Sequence, residues 1–311
     1  MNLIEVQKAG MLTTVQDLGR EGYGSMGVSP SGAADPIALR LGNRLVGNPE
    51  GAPALEMTVL GGTFRFPHGG IVALTGSDFG ATLDDIAVEM WTSFEIKPGQ
   101  TLHLGSSHDG VRCYLCVQGG VAVPQLFGSA STHLLTGLGG FQGRALRKGD
   151  VLRIGVADRS FCKRTISSRL LEQLAPRKVI RVTSGPQMDW FSATSLRLFY
   201  STAYRVGDQS NRMGLRLEGA PLAQRSSRDM ITEGVTLGAV QVTSGGLPII
   251  LFVEQQTTGG YPKIANVIST DLHSIGQLRP RDEIRFEQVM LETARALLIA
   301  QEKLLAFEDG E

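Results

Sequence analysis

Cysteine is scarce: three in 311 residues cannot build a disulfide framework. Charge is scarce too. Asp, Glu, Lys and Arg make up 19%, and 30 basic residues balance 30 acidic ones to a formal net charge of zero. Nucleic-acid and anionic-membrane binders need a basic excess, so neither class is expected. Long hydrophobic runs are missing as well. The longest strongly apolar stretch, Leu247 to Val253, contains Pro248 and falls far short of the roughly 20 residues that span a bilayer. The opening Met-Asn-Leu-Ile-Glu-Val-Gln-Lys lacks the apolar region of a signal peptide, so a soluble, cytoplasmic protein is expected.

Familiar catalytic signatures are also absent. The sequence has no G-x-x-x-x-G-K-[ST] phosphate loop, no H-E-x-x-H and no G-x-S-x-G. Gly137-Leu-Gly-Gly-Phe-Gln-Gly143 only approaches a dinucleotide loop. His68, His103, His108, His133 and His273 are scattered without metal-ligand spacing, and no metal site is expected. Cys113 and Cys116 form a C-x-x-C, but inside the alternating stretch Val111 to Val117. Strand residues three apart point to opposite faces, so the two thiols should share neither a metal nor a bond.

What is abundant is glycine, 39 of 311 residues against a usual share of about 7%. The glycines separate period-2 stretches such as Leu55–Val59, Gly62–Phe66, Ile71–Leu74, Thr101–Leu104 and Pro248–Val253. Short alternating strands between glycine turns predict an all-β barrel or sandwich. Asp35-Pro36 predicts a helix start, with Ile37, Leu41 and Leu45 on one face and Gly47 as the stop. A second helix is predicted from about 291 to 307, its apolar face drawn from Ala294, Leu297, Leu298, Leu304 and Leu305. Lys97-Pro-Gly-Gln100, Arg147-Lys-Gly-Asp150 and Arg279-Pro-Arg-Asp282 each precede a strand, an echo that suggests two related β lobes. The expected division is an N-terminal lobe 1–160, a C-terminal lobe 178–290 and a helical tail 291–311. A charged linker would join the lobes, with Arg159, Lys163, Arg164, Arg169, Arg177 and Lys178 around a short helix at Leu170 to Leu174.

Polar residues gather in four glycine-rich turns: 13–23, 128–132, 210–219 and 255–263. Backbone N–H groups in such turns cradle anionic oxygen, and Arg or Lys holds carboxylate or phosphate. Taken singly, Asp17, Arg20 and Arg212 read as salt-bridge partners that pin loops. Together the four turns favour a small-anion site.

These segments carry a family resemblance. Thr14-Val-Gln-Asp-Leu-Gly-Arg20, Gly27 to Asp35, Asn43 to Asn48, Val117 to Val121, Gly128-Ser-Ala-Ser-Thr132, Gly185-Pro-Gln187, Asp208 to Gly214, Glu233-Gly-Val235 and Gln255 to Pro262 resemble, in order, the allophanate hydrolase subunit 2 family. The resemblance spans 3–290. It implies a mainly β fold of two cyclophilin-like β-barrel lobes with a few short helices. It also implies a heteromeric amide hydrolase that uses ATP and Mg²⁺ to open 5-oxo-L-proline to L-glutamate. The implied partners are two: a KipI-like protein related to allophanate hydrolase subunit 1, and a LamB/YcsF-like protein. Two alternatives stay open: the carboxyltransferase component of a biotin-dependent urea or amide carboxylase, and a KipA-type regulatory binding protein. No A-M-K-M segment exists, so no covalent biotin is expected on this chain. Arg281 departs from the family pattern, where glycine is expected, and so does Gln118, where a small residue is usual.

Residue chemistry then suggests roles. Arg20, Arg44 and Arg212 would bind the substrate anion, and Lys263 a phosphate or oxyanion. Asp17 would orient Arg20 or help hold Mg²⁺, while Ser129, Ser131 and Thr132 would bind the carbonyl oxygen. Gln16, Gln256, Thr257 and Tyr261 complete the expected substrate contacts.

Overall fold

The computed structural model describes residues 2–156, 161–225 and 230–307. They form two compact units, 1–21 with 30–172 and 22–29 with 173–311. The division falls between the two predicted lobes, except that residues 22–29 group with the second. The 291–307 tail falls in the second unit. Arg159, in the expected linker, lies outside the described residues.

The first unit contains β1 (Leu3–Lys8), β2 (Leu12–Gln16), β3 (Ala54–Thr58), β4 (Thr63–Arg65), β5 (Gly70–Gly76), β6 (Thr82–Leu83), β7 (Ile86–Ala87), β8 (Ser93–Ile96), β9 (Thr101–His103), β10 (Arg112–Val117) and β11 (Val151–Arg153). They make two antiparallel sheets, ordered β11-β1-β4-β9-β6-β7 and β2-β3-β10-β5-β8. Here the expected barrel is two sheets around one core, not a single closed ladder. The chain crosses between sheets after β3, at Val59, whose φ of 63° breaks the strand geometry. The core holds Leu55, Phe64, Leu74, Leu102 and Leu115, all buried, while His103 points outward as its alternation predicts. Cys113 belongs to this core, whereas the Cys116 thiol faces Leu39 O at 3.9 Å. Burial pushes both thiols far above their ordinary range, which removes thiolate chemistry near neutral pH.

Helix α1 (Pro36–Leu45) lies on β5 and β10. The Asp35 carboxylate accepts from Ala38 N at 3.0 Å, capping the helix, and Ile37, Leu41 and Leu45 are buried. A short helix, α2 (Ser168–Gln173), stands where the linker helix is expected.

The second unit is a closed barrel in the order β12 (Val179–Ser184), β19 (Lys263–Val267), β16 (Ala239–Val242), β17 (Pro248–Leu251), β14 (Gly214–Glu218), β13 (Tyr204–Val206) and β20 (Glu283–Gln288). β12 and β20 pair in parallel and the remaining neighbours antiparallel. Outside the barrel, β15 (Glu233–Gly234) and β18 (Thr258–Gly259) form a two-stranded ribbon. Helices α3 (Ala193–Ser201), α4 (Leu272–Gln277) and α5 (Leu291–Phe307) belong to this unit, and Phe199 of α3 stacks on Phe286 at 4.4 Å.

The three echoing segments adopt one turn. In each, the first residue's N–H donates to the fourth side chain: Lys97 to Gln100 at 2.7 Å, Arg147 to Asp150 at 2.7 Å and Arg279 to Asp282 at 2.8 Å. The third residue has positive φ, 88° at Gly99, 92° at Gly149 and 74° at Arg281. Only at Arg281 does a side chain carry the left-handed cost of roughly 1–2 kcal/mol. Its exposed partner Asp208 stands 3.4 Å away and offsets little of that. Arg281→Gly is therefore expected to raise the second unit's unfolding temperature by a few degrees in a thermal scan.

At the second of these turns, Arg144 grips Asp150 with two bonds of 2.8 and 2.9 Å. Those bonds, then the Arg147 N–H, hold the Asp150 carboxyl below its ordinary range. A carboxyl depressed in the folded state stabilises fully above its unfolded value, about pH 4, and loses that contribution as pH falls through the folded value. Asp150→Asn should flatten the acid limb of the first unit's stability curve, read by denaturant unfolding between about pH 5 and pH 2.

Candidate functional site

In the first unit, the residues after β2 meet the 128–132 turn in a buried polar latch. Asp17 Oδ1 accepts from Ser129 Oγ at 2.7 Å, Ser131 Oγ at 2.5 Å and Gly19 N at 2.8 Å. Its Oδ2 accepts from Ala130 N at 2.6 Å. Thr132 donates through both N and Oγ1 to Val15 O, and Gln16 Nε2 donates to Thr132 O at 3.2 Å. Arg20 Nη2 donates to Ser131 O at 2.5 Å and Nε to Leu126 O at 3.4 Å. A side chain at Gly139 would meet Ser131 O at 2.2 Å, so this part of the glycine loop exists for close approach to the latch.

This arrangement places several of the expected site residues in the latch. The Ser129 and Ser131 protons point at Asp17, and Thr132 Oγ1 at a main-chain carbonyl, so none is presented to a substrate carbonyl. All three residues are fully buried. Asp17 already accepts from four donors, three on Oδ1 and one on Oδ2. Among the described residues no group of three or more His, Cys, Asp or Glu has a metal-binding arrangement. Arg44 sits elsewhere, in the last turn of α1, where its Nε donates to Glu50 at 2.6 Å beside Arg40, bound to the same carboxylate at 2.6 Å.

The second unit brings four predicted residues into one polar patch. The segment carrying Gln256, Thr257 and Tyr261 folds back along β15, with Val235 N donating to Thr257 O at 3.1 Å. It then enters β19 at Lys263, directly opposite Gln241 of β16. Gln256 Nε2 donates to Gln241 Oε1 at 3.3 Å, and Gln241 Nε2 to Tyr261 O at 3.4 Å. Lys263 is buried, with its side chain 6% exposed, and its Nζ donates to Glu233 Oε1. Gln187 Nε2 donates to the same oxygen at 2.9 Å. The Lys263 bond first, then Gln187, holds the Glu233 carboxyl below its usual range. Arg212 is in this unit too, buried and ion-paired with Glu254, which also donates its backbone N to Arg212 O at 2.8 Å. Pairing offsets part of the cost of burying such charges.

Sequence reasoning missed Gln187, Glu233, Gln241 and Glu254 as participants. Gln187 and Glu233 both fall inside quoted family motifs, which was the available signal. Gln241 is revealed only by strand register, a long-range property.

Set beside known proteins, residues 26–288 match the carboxyltransferase domain, subdomain A and B. The chain is 42% identical over 294 residues to the C subunit of 5-oxoprolinase from Escherichia coli strain K12, covering 94% of this chain and 93% of that protein. It is 37% identical to the C subunit of 5-oxoprolinase from Haemophilus influenzae, covering 95% and 94%. Among solved structures, the Kluyveromyces lactis urea carboxylase superposes with a TM-score of 0.93 at 34% identity, over 99% of this chain and 29% of that one.

Proposed function

The chain belongs to the carboxyltransferase domain family, subdomains A and B, and we propose that it is the C subunit of an ATP-dependent 5-oxoprolinase, opening 5-oxo-L-proline to L-glutamate. The observation that carries this is 42% identity along nearly the full length of both this chain and the E. coli protein. Such a role implies companions, and the KipI-like and LamB/YcsF-like proteins named above are the proposed ones. The carboxyl-transfer reading has weaker support, because this chain matches only 29% of the urea carboxylase. No specific observation favours the regulatory reading.

A lactam resists hydrolysis because resonance strengthens its C–N bond. The enzyme must therefore hold the substrate's carboxylate while the amide is activated. In this reading the Lys263 ammonium receives that carboxylate, and the amides of Gln187, Gln241 and Gln256 orient the ring. A cation sunk below the surface binds an anion more strongly than one in bulk water. Activation by Mg²⁺ and ATP is assigned to the complex, with both groups bound by or shared with the partner proteins.

Co-expression with KipI-like and LamB/YcsF-like homologues tests the proposal. Glutamate should appear from 5-oxoproline only when ATP is supplied. A folded complex that instead consumes carboxybiotin in a urea-dependent manner would establish the carboxyltransferase reading.

A further inference from the structure

The ion pair between Lys263 and Glu233 is asymmetric. The lysine side chain is 6% exposed and the glutamate side chain 45% exposed, so the cation lies inside and the acid covers it. The two partners are also held differently. Lys263 is on β19, in the wall of the closed barrel, whereas Glu233 is on a two-residue strand whose partner is the equally short β18. Residues 231–234 are exposed.

The second donor is fixed from both sides. Gln187 N donates to Lys263 O at 3.1 Å, and Lys263 N donates to Gln187 Oε1 at 3.1 Å. That second bond leaves the amide nitrogen of Gln187 no direction but toward the carboxylate. A Cβ at Gly185 would stand 2.3 Å from Lys263 O, so the glycine permits the approach that makes both bonds. The result is a rigid pair of donors, one ammonium and one amide, converging on a single carboxylate oxygen.

We propose that this pair is a binding seat for the carboxylate of a small organic acid, and that Glu233 is its resident stand-in, displaced when the ligand arrives. The inference rests on reading Lys263 as the substrate-facing cation. Displacement costs little on the glutamate side, because a half-exposed carboxylate regains its hydration on leaving. It cannot leave the seat empty, because a buried ammonium without an anion is costly. Glu233 thus keeps the seat charge-compensated without ligand and excludes weaker anions. The ligand class is accordingly a small organic carboxylate.

The test titrates acetate into the full chain and follows the Gln187 side-chain amide by NMR. Glu233→Gln should bind acetate at least about 10-fold more tightly than the unaltered chain, since the competing internal anion is gone. Glu233→Ala should do the same, which separates lost competition from any new contact of the glutamine. Adding Lys263→Met to either variant should abolish the gain. Acetate binding no tighter in both Glu233 variants, or a gain that survives Lys263→Met, would overturn the proposal. Acetate has no lactam, so failure of the oxoprolinase reading would leave this result unchanged.

Discussion

Asp17→Ala is expected to destabilise the first unit by about 4 kcal/mol, among the largest effects a single substitution produces. The carboxylate collects two hydroxyls and two backbone N–H groups inside a site closed to water. Alanine leaves those donors buried without an acceptor, and each such group costs roughly 1–3 kcal/mol. Asp17→Asn keeps one acceptor oxygen but turns an NH₂ toward donors, so its loss should be intermediate. The molecule offers a convenient probe, because its two tryptophans, Trp91 and Trp190, fall in different units. In a Trp190→Phe background, Trp91 fluorescence reports denaturant unfolding of the first unit alone. An unchanged midpoint for Asp17→Ala would show that the latch contributes nothing, and would reopen Asp17 as a functional group.

The second large effect concerns turnover. In the assembled enzyme, Lys263→Met should lower kcat/KM for 5-oxoproline by about 100- to 1000-fold, the usual consequence of removing one preorganised electrostatic contact. Methionine preserves most of the side-chain volume, and Glu233 is exposed enough to be hydrated alone, so folding should be retained. Far-UV circular dichroism and the thermal midpoint check that. Lys263→Arg should recover only part of the rate, since a guanidinium does not fit the space of a buried ammonium. These opposite outcomes, lost stability at Asp17 and lost turnover at Lys263, separate two sites that residue chemistry alone treated alike.

That separation marks where sequence reading stops. Local patterns were legible because their causes are local: Asp35 and Pro36 start α1, and the alternation around Leu102 and His103 sets β9. The paired Cys113 and Cys116 were assigned to opposite faces by strand geometry alone. The two functional readings needed distant partners. Ser129 and Ser131 looked like carbonyl-binding hydroxyls until Asp17, more than a hundred residues earlier, took their protons. Lys263 was expected to meet a phosphate or oxyanion, and the structure adds Glu233 and Gln187 beside it. Glycine enrichment pointed to the right segments for a mixed reason. At Gly139 it allows a structural latch to close, and at Gly185 it lets Gln187 reach Lys263.

ATP-dependent glutamate release from 5-oxoproline, by the complex of this chain with the proposed KipI-like and LamB/YcsF-like partners, decides both the function and the site. Release should require this chain, require ATP and fall at least about 100-fold with Lys263→Met. A well-folded complex that releases no glutamate would contradict the assigned function, and full release by the Lys263→Met complex would contradict the assigned site.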